Sequence, residues 1–228
     1  ALMLLFISYQ TLHAQTYFFK NFTAEENGLP QSQVLSIFQD ESGRLWIGTN
    51  QGGITRYDGS GFETITETNG LANNVVYSIA QGNEGNLYIG TNNGLSVYDG
   101  KSFKNYTTEN GLSHNGIVKV FKDKKGKIWL GTGKGVCIFE KDSIIQFHAD
   151  TLLDNSTILN IAEDIKGGFW FCTVQNGLFF YREGNPVINY TSKNGFTTNY
   201  IFSITQRGTK NYWVSTYEGL YNLEEGKI

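Results

Sequence analysis

Cysteine, proline and clustered positive charge are scarce in this sequence. It has two cysteines, Cys137 and Cys172, and two prolines among 228 residues. The cysteines stand in unlike surroundings, GVCIF and WFCT, so a disulfide depends on geometry that the sequence does not determine, and two buried free thiols are the simpler interpretation. The formal net charge is -3, and no run of lysine or arginine occurs. A nucleic-acid-binding surface needs such a run, so we expect no nucleic acid as a partner.

Metal-binding and catalytic patterns are also missing. The three histidines, His13, His114 and His148, have no ligand-like spacing with cysteine or acidic residues, so we predict no metal and no cofactor. The sequence GTGKG resembles a phosphate-binding loop only weakly, because it lies in a hairpin and no helix follows it. Most acidic side chains lie in turns, where we expect them to be solvated: Asp40, Glu41, Glu84, Asp123 and Asp164. We therefore predict that this segment is not an enzyme.

Glycine and aromatic residues are abundant instead. There are 27 glycines, 13 tyrosines, 16 phenylalanines and 4 tryptophans. Aromatic residues favour strands, and glycine supplies the tight turns that join them. The composition therefore predicts many short strands and no long helices.

The first 15 residues, ALMLLFISYQTLHAQ, carry no charge and contain an apolar run that ends near the small residue Ala14. This pattern is typical of the apolar region and cleavage zone of a secretory signal peptide, and it is too short to span a membrane. We interpret residues 1–15 as a signal-peptide remnant, which predicts an exported, extracytoplasmic protein. A buried first strand is the alternative interpretation.

A tetrad led by an aromatic residue occurs five times along the chain. The tetrads are WIGT, YIGT, WLGT, WFCT and WVST, and they begin at Trp46, Tyr88, Trp129, Trp170 and Trp213. Consecutive tetrads therefore lie 42, 41, 41 and 43 residues apart. Each follows by 19 residues a slot that reads NGL, NGL, NGL, TLL and NGF, so the repeats start near residues 27, 69, 110, 151 and 194. A fixed period of this length indicates a repeat architecture.

Each repeat contains four short period-2 runs separated by turn residues, as in VVYSIAQ, NLYIGT, GLSVYDG and SFKNYTT. A four-stranded antiparallel unit of this size cannot bury both of its faces, and radial stacking of the units solves that problem. We therefore predict an all-β fold, a β-propeller over residues 16–228 with five repeats. The recurring aromatic residue would fill the gap to the neighbouring blade, and the tetrad glycine would allow close approach. The small polar residue five positions after each slot start would cap its own turn.

The phase of the repeat bears on how the ring closes. The segment from Tyr17 to Thr23, YFFKNFT, matches a fourth strand, whereas the fifth repeat ends after its third strand. An N-terminal outer strand can complete the last blade, so five blades could close a ring in this way. We favour the interpretation that the chain is a fragment of a longer propeller.

Two sets of loops are predicted to share one face of the propeller. They are the loop from each fourth strand to the next first strand, which carries NGL, and the loop between the second and third strands. Their amides, rings and few charges are suited to hydrogen bonding with sugar hydroxyls or a peptide. The candidate ligand-binding residues are Asn50, Gln51, Asn92, Asn93, Lys134, Gln175, Asn176, Tyr217, Glu218, Asn73, His114 and Thr198. The alternative for each residue is a purely structural role in its turn.

The unit NGLPQSQVLSIFQDESGRLWIGTNQGGITRYDG combines NGL, LWIGT and a trailing YDG in order, and the sequence resembles the two-component regulator propeller family. The resemblance covers residues Tyr17 to Leu223. It implies the periplasmic sensor segment of a membrane-bound regulator, often a hybrid histidine kinase, with seven-bladed propellers and a downstream membrane helix. It also implies an oligosaccharide or similar nutrient as the ligand. The fourth and fifth repeats depart from the pattern, since Cys172 and Ser215 replace the tetrad glycine and Arg207 replaces the turn aspartate.

Other functions fit the same pattern. A stand-alone exported binding or scaffolding protein would use the same face without a kinase, and docking through the propeller could form a homodimer. A propeller hydrolase or lyase is a third alternative, and it would rely on Glu218, the acidic residue that lies in a loop on the predicted ligand face.

Overall fold

The computed structural model describes residues 21–25 and 28–228. The predicted signal-peptide remnant at residues 1–15 and the first part of the predicted strand Tyr17–Thr23 lie outside the described residues.

The described residues form five consecutive antiparallel sheets, which we number as blades 1 to 5. Blade 1 contains β1 (Val34–Gln39), β2 (Leu45–Thr49), β3 (Ile54–Tyr57) and β4 (Phe62–Ile65). Blade 2 contains β5 (Val76–Gln81), β6 (Leu87–Thr91), β7 (Gly94–Tyr98) and β8 (Phe103–Tyr106). Blade 3 contains β9 (Ile117–Lys122), β10 (Ile128–Thr132), β11 (Val136–Glu140) and β12 (Ser143–Phe147). Blade 4 contains β13 (Ile158–Glu163), β14 (Phe169–Thr173), β15 (Leu178–Tyr181) and β16 (Ile188–Tyr190). Blade 5 contains β17 (Ile201–Arg207), β18 (Asn211–Thr216) and β19 (Gly219–Glu224).

Helices occur only as single turns between blades in the described part of the chain. Three are 3-10 helices, at Glu67–Asn69, Thr108–Asn110 and Ser192–Asn194, and the fourth is α1 (Thr151–Asp154). The α-helical turn stands where TLL replaces NGL, so the altered slot changes the local turn. None of these described helices has the length and apolar character needed to cross a membrane.

The blades pack side by side through their first strands. β1 packs against β5, β5 against β9, β9 against β13, and β13 against β17. β17 and β1 show no comparable packing within the described residues, so the five blades form an open arc. Apolar side chains are exposed at both ends, with Ile37 of blade 1 at 67% and Leu220 of blade 5 at 63%. The predicted all-β fold of antiparallel blades is confirmed, and an open arc is what a piece of a larger propeller would show.

The short N-terminal stretch of described residues, 21–25, lies against blade 1. The ring of Phe22 meets those of Tyr57 and Phe62 with centroids 5.5 Å away in each case. Tyr106, the corresponding residue of the fourth strand of blade 2, packs in the same way on Phe139 of blade 3 at 5.0 Å. Phe22 therefore occupies the place that an outer strand of a preceding blade would supply.

Each blade up to the fourth packs its second-strand aromatic residue against the following blade. Trp46 of blade 1 is 2% exposed and belongs to one cluster with Val76 and Ile89 of blade 2. In blades 2, 3 and 4 the same position is held by Tyr88, Trp129 and Trp170, which pack in the same way. The repeated aromatic residue is thus the contact that joins one blade to the next.

Trp213 does not share this environment, although the sequence predicts it as blade core. Its side chain is 37% exposed, and the guanidinium of Arg207 lies over its ring at 5.9 Å. Trp213 occupies the position that faces the following blade in blades 1 to 4, and no further blade among the described residues packs on that side of blade 5. The prediction is therefore wrong for Trp213, because this position is buried only where another blade packs on it.

The aspartates that open the first turn are buried, so the expectation that they would be solvated is wrong. Asp40, Asp123 and Asp164 are 4%, 6% and 3% exposed. Asp40 accepts hydrogen bonds from its own turn, at the backbone N–H groups of Ser42 and Arg44, and from the Trp46 indole at 2.8 Å. A carboxylate can be buried when several donors satisfy it. The two glutamates in the same set, Glu41 and Glu84, are exposed as expected.

Blade 3 repeats this pair, since the Trp129 indole donates to Asp123 at 2.9 Å. Blade 4 modifies it, because Arg182 donates to Asp164 at 2.7 Å and the Trp170 indole nitrogen has no partner within the described residues. In blades 1 and 3 the aspartate and the tryptophan therefore form one structural unit, which the sequence shows only as two separate repeated residues.

The tetrad glycines lie where two blades approach closely, as predicted. A Cβ at Gly48 would lie 2.8 Å from the backbone oxygen of Val76, and one at Gly90 would lie 2.8 Å from that of Ile117. Both oxygens belong to the following blade. The two cysteines, Cys137 and Cys172, are fully buried and free, so the interpretation as free thiols is confirmed.

Candidate functional site

The two predicted sets of loops do lie on one face, which we call the loop face. In every blade, the loop after the second strand donates a backbone hydrogen bond to the residue just before the first strand. The donor and acceptor residues are Asn50 and Gln33, Asn92 and Val75, Gly133 and Gly116, Val174 and Thr157, and Tyr217 and Tyr200. These bonds measure 2.9 to 3.1 Å. The turn between the first and second strands and the turn between the third and fourth strands lie on the opposite face, which we call the turn face.

A second repeated bond joins each loop to the next blade. The amide of the glycine that opens the third strand donates to the small polar residue that precedes the following blade, in the pairs Gly53–Asn74, Gly94–Asn115, Gly135–Ser156 and Gly177–Asn199. The distances are 2.7 to 2.9 Å. The loop face is therefore held by backbone bonds that do not depend on which side chains the loops display.

The small polar residues of these pairs also cap turns, as predicted. The side chains of Asn74, Asn115 and Asn199 accept from the backbone N–H seven residues earlier, at 2.9, 2.7 and 2.7 Å. Each of these N–H groups opens a 3-10 helix that otherwise leaves it without a partner. These asparagines are structural, and we do not count them as ligand-binding residues.

Three of the candidate ligand-binding residues use their side chains in their own turns. Asn73, His114 and Thr198 each accept from the backbone N–H two residues later, at 3.0, 2.9 and 3.2 Å. This geometry is an Asx-type turn, and it occupies one side-chain acceptor. The imidazole of His114 is nevertheless exposed, so its other ring nitrogen can reach solvent.

Four candidate asparagines pair with other polar side chains of the loop face. Asn50 donates to Gln33 at 2.8 Å, and Asn92 accepts from the Tyr77 hydroxyl at 3.2 Å. Asn176 donates to Ser156 at 2.8 Å. Asn93 of blade 2 accepts from Asn115 of blade 3 at 3.2 Å, so one of these pairs bridges two blades. These pairs orient amides at the surface and leave part of each amide open to a ligand.

The remaining candidates are exposed, and their side chains make no hydrogen bond or ion pair within the described residues. They are Gln51, Lys134, Gln175, Tyr217 and Glu218. They stand on loops of two lengths, because the threonine that ends the second strand bonds to a glycine four residues later in blades 1 and 4 and three residues later in blades 2, 3 and 5. In the longer loops, Gln51 and Gln175 both have φ near 74°, a left-handed conformation uncommon for glutamine.

Three aromatic residues next to these candidates were missed from the sequence. Tyr200 lies 5.1 Å from Phe202 and 6.0 Å from Tyr217 between ring centroids, and Tyr217 is 73% exposed. Tyr77, the partner of Asn92, occupies in blade 2 the position of Phe202 in blade 5.

A β-bulge explains why sequence reasoning missed this position. In each first strand the register with the second strand shifts at this residue, as between Val76 and Ser78 or between Ile201 and Ser203. A bulge redirects a side chain away from the regular alternation, which explains why Phe202 is 42% exposed on a strand whose neighbours Ile201 and Ile204 are buried.

Acidic and metal-ligating side chains do not gather on this face. Within residues 21–25 and 28–228, no group of three or more histidine, cysteine or acidic side chains is close enough to hold a metal ion. His148, the other histidine in the described range, pairs with Asp154 at 2.9 Å. The side chains that the loop face displays can donate and accept hydrogen bonds, and its aromatic rings can stack.

Comparison with known proteins matches this repeat to a described family. A model of the two component regulator propeller matches residues 28–51, 70–93 and 111–134, which are three of the five repeats. Among curated proteins, none matches the chain.

Solved structures share the fold at low identity. The extracellular domain of a hybrid two component system, BT3049 from B. thetaiotaomicron, is 22% identical with a TM-score of 0.65, over 86% of this chain and 34% of that chain. PorZ, a surface component of the type-IX secretion system of Porphyromonas gingivalis, is 17% identical with a TM-score of 0.69, over 88% and 34%. Virginiamycin B lyase from Staphylococcus aureus is 15% identical with a TM-score of 0.68, over 86% and 68%. The chain thus spans about a third of the first two structures, and these likenesses show the propeller fold alone.

Proposed function

Because this chain carries two-component regulator propeller repeats, we propose that it is the extracytoplasmic sensing or interaction propeller of a two-component signal transduction regulator. The proposed ligand is an oligosaccharide or a similar nutrient, and the proposed binding surface is the loop face. The propeller would recognise the ligand, and the enzymatic activity that passes the signal on would belong to another part of a longer, membrane-anchored protein.

One observation carries the proposal: uniform backbone bonds hold the loops, while unlike exposed side chains occupy their tips. Because these bonds are made by the backbone, the side chains at the tips can differ between blades without disturbing the loops. The tips display amides at Gln51 and Gln175, a cation at Lys134, and an aromatic ring with a carboxylate at Tyr217 and Glu218. Varied side chains on a constant scaffold are typical of recognition surfaces.

The chemistry of the tips favours an oligosaccharide. Sugar hydroxyls both donate and accept hydrogen bonds, and amides do the same, so paired amides such as Asn92 and Asn93 suit them. Sugar rings also present apolar C–H faces, for which Tyr217 with its neighbours Tyr200 and Phe202 offers a partly exposed aromatic surface. The few charges make a strongly ionic ligand the poorer fit.

Signalling requires that the ligand prefer one of two arrangements of the protein. A coupling of about 1–3 kcal/mol is sufficient for a useful response. We propose that the two arrangements differ in how propellers dock, either with other domains or as a homodimer.

Calorimetric titration of a panel of oligosaccharides against the full chain tests the proposal. We expect one or more to bind, and Tyr217→Ala and Gln51→Ala to weaken binding by about tenfold each, since each removes a contact worth about 1 kcal/mol or slightly more. Ser42→Ala is the matched control, because Ser42 is exposed on the turn face and its hydroxyl makes no hydrogen bond to any residue that the structure describes. Binding that is unchanged in both loop-face variants would refute the loop face as the site.

A further inference from the structure

Three cavities occupy equivalent places between consecutive blades at the turn face. The cavity between blades 3 and 4 contains Asp123 and Trp129 and has a volume of about 210 Å³. The cavity between blades 4 and 5 contains Asp164 and Trp170 and has a volume of about 290 Å³. The cavity between blades 2 and 3, which we call the blade 2–3 cleft, reaches about 530 Å³. The fold repeats, so the larger volume must come from local sequence.

The local cause is a paired replacement in blade 2. Gly82 stands where blades 1, 3 and 4 have the buried aspartate, and Tyr88 stands where those blades have tryptophan, so both halves of the structural unit are missing together. The turn itself is unchanged, since Gly82 N donates to Asn86 O at 2.9 Å as Asp40 N does to Arg44 O at 3.0 Å. A Cβ at Gly82 would lie 2.7 Å from the Tyr88 ring, so the ring has moved toward the place of the missing carboxylate.

The blade 2–3 cleft is lined by groups that can bind a polar ligand. The hydroxyl of Tyr88 makes no hydrogen bond within the described residues, although the ring is half buried. In blades 1 and 3 the indole at this position donates to the aspartate, and in blade 4 it lies in a smaller cavity. Tyr88 therefore brings an unused donor and acceptor into the largest of the three cavities.

The side of the cleft formed by blade 3 is held by a polar cluster that bridges the two blades. Asp142, which follows β11, accepts from the Tyr106 hydroxyl of blade 2 at 3.2 Å and pairs with Lys104 at 3.2 Å. Asp142 and the preceding Lys141 both have positive φ, 61° and 49°, as in a two-residue hairpin turn of the left-handed type. That turn directs Asp142 toward blade 2.

The charges that line the cleft balance. The acidic residues Glu84, Glu140 and Asp142 stand against the basic residues Lys125, Lys127 and Lys141. Such a lining does not favour a ligand of either charge. The carboxylates accept hydrogen bonds, the ammonium groups donate them, and the amides of Asn83 and Asn86 do both. A hydroxyl group can use all three kinds of partner, because it both donates and accepts.

We propose that the blade 2–3 cleft is a binding site for an uncharged, hydroxyl-rich ligand of short-saccharide size. The volume lies within the range of about 300–1,000 Å³ that small-molecule sites occupy. The site lies on the turn face, so it goes beyond the loop-face site of the proposed function and does not depend on it.

The test restores the repeat unit that blade 2 lacks. The double substitution Gly82→Asp with Tyr88→Trp rebuilds the aspartate–tryptophan pair and should narrow the cleft toward the 210 and 290 Å³ of the two cavities that contain an aspartate and a tryptophan. The φ of Gly82 is not left-handed, so aspartate fits the backbone. Saturation-transfer NMR with a panel of neutral disaccharides would measure binding to the wild-type chain and to the variants. We expect at least one disaccharide to bind the wild type, and to lose about tenfold or more in affinity in the double variant.

Two matched single substitutions refine this test. Tyr88→Phe removes only the unused hydroxyl and should weaken binding severalfold. Tyr181→Phe makes the same chemical change in the smaller cavity between blades 3 and 4 and should leave binding unchanged.

The results also separate this site from the loop face. Tyr217→Ala should not affect binding in the cleft, whatever it does to ligands of the loop face. The proposal is overturned if no neutral disaccharide transfers saturation from the wild type, or if the double variant, folded by circular dichroism, binds with unchanged affinity.

Discussion

Trp129 and Trp213 occupy the same position of the repeat, but their replacement by alanine should have different costs. Trp129 is 4% exposed and packs on Phe147 and Phe169 with ring centroids 5.1 and 4.4 Å away. A tryptophan buries about 200 Å². At about 25 cal/mol per Å² this corresponds to about 5 kcal/mol, close to the 3–5 kcal/mol typical of tryptophan-to-alanine substitutions in cores.

Trp129→Ala has a second cost, because it removes one of the donors that satisfy the buried carboxylate of Asp123. Trp213 is 37% exposed, its position opens to solvent so that no cavity remains, and its guanidinium neighbour can move. With about two-thirds of its surface buried, the same coefficient gives about 3 kcal/mol for Trp213→Ala, and we expect this smaller loss in the free energy of unfolding against about 5 kcal/mol or more at Trp129.

Urea unfolding followed by far-ultraviolet circular dichroism measures both losses without relying on tryptophan fluorescence. The pair of variants forms its own control, since residue type and strand position are shared. Equal losses at the two positions would refute the argument that burial against a following blade, and no intrinsic property of the tetrad, gives the aromatic residue its role.

Two further predictions concern the turn face and the blade contacts. Burial alone would raise the pKa of Asp40, but hydrogen bonds from Trp46 and Arg44 outweigh it and lower the pKa, so ionised Asp40 stabilises the fold fully above the ordinary aspartate value of about 4. This stabilisation is lost as the pH falls from that value through the lowered pKa. Between pH 7 and pH 3, urea unfolding should therefore show a smaller decrease in the free energy of unfolding for Asp40→Asn than for the wild type. Parallel pH profiles of the two proteins would contradict this. Gly131→Ala should cost about 1–3 kcal/mol, because its Cβ would lie 2.9 Å from the Ile158 side chain. Gly61→Ala, where a Cβ meets nothing within 4 Å, should be nearly neutral, and an equal cost for the two in urea unfolding would show that crowding is not the cause.

The repeat period predicts most of the fold, for a clear physical reason. The tetrads recur at nearly constant spacing because each blade repeats the same strand lengths and the same turns, so one unit defines the others. What the period does not contain is the environment of a unit. Position 213 has the expected residue type, tryptophan, but its burial depends on a neighbouring blade and on nothing within its own repeat.

The buried aspartates show a second limit of sequence reasoning. The pattern Asp-x-x-Gly is typical of a solvated turn, and the turn is indeed formed. The spacing from Asp40 to Trp46 also brings the carboxylate to the indole nitrogen across the hairpin, a contact that local turn chemistry does not suggest. Once the pair is known, the joint loss of both partners at Gly82 and Tyr88 can be read directly from the sequence.

The loop face was predicted in outline. The strand order places both sets of loops on one side, and the repeated backbone bonds confirm that placement. The sequence could not separate exposed tips such as Gln51 from residues such as Asn73 that close their own turns, because both are polar residues next to glycine. It also missed Tyr200 and Phe202, since a β-bulge interrupts the alternation from which exposure is inferred.

The bonds from each third-strand glycine to the following blade have a consequence for hydrogen exchange. The amides of Gly53, Gly94, Gly135 and Gly177 lie at a loop-bearing surface, where exchange with solvent is ordinarily fast. Each is donated across a blade boundary, so its proton can exchange only when those two blades part. Four amide protons thus report, one boundary at a time, the free energy of opening between neighbouring blades.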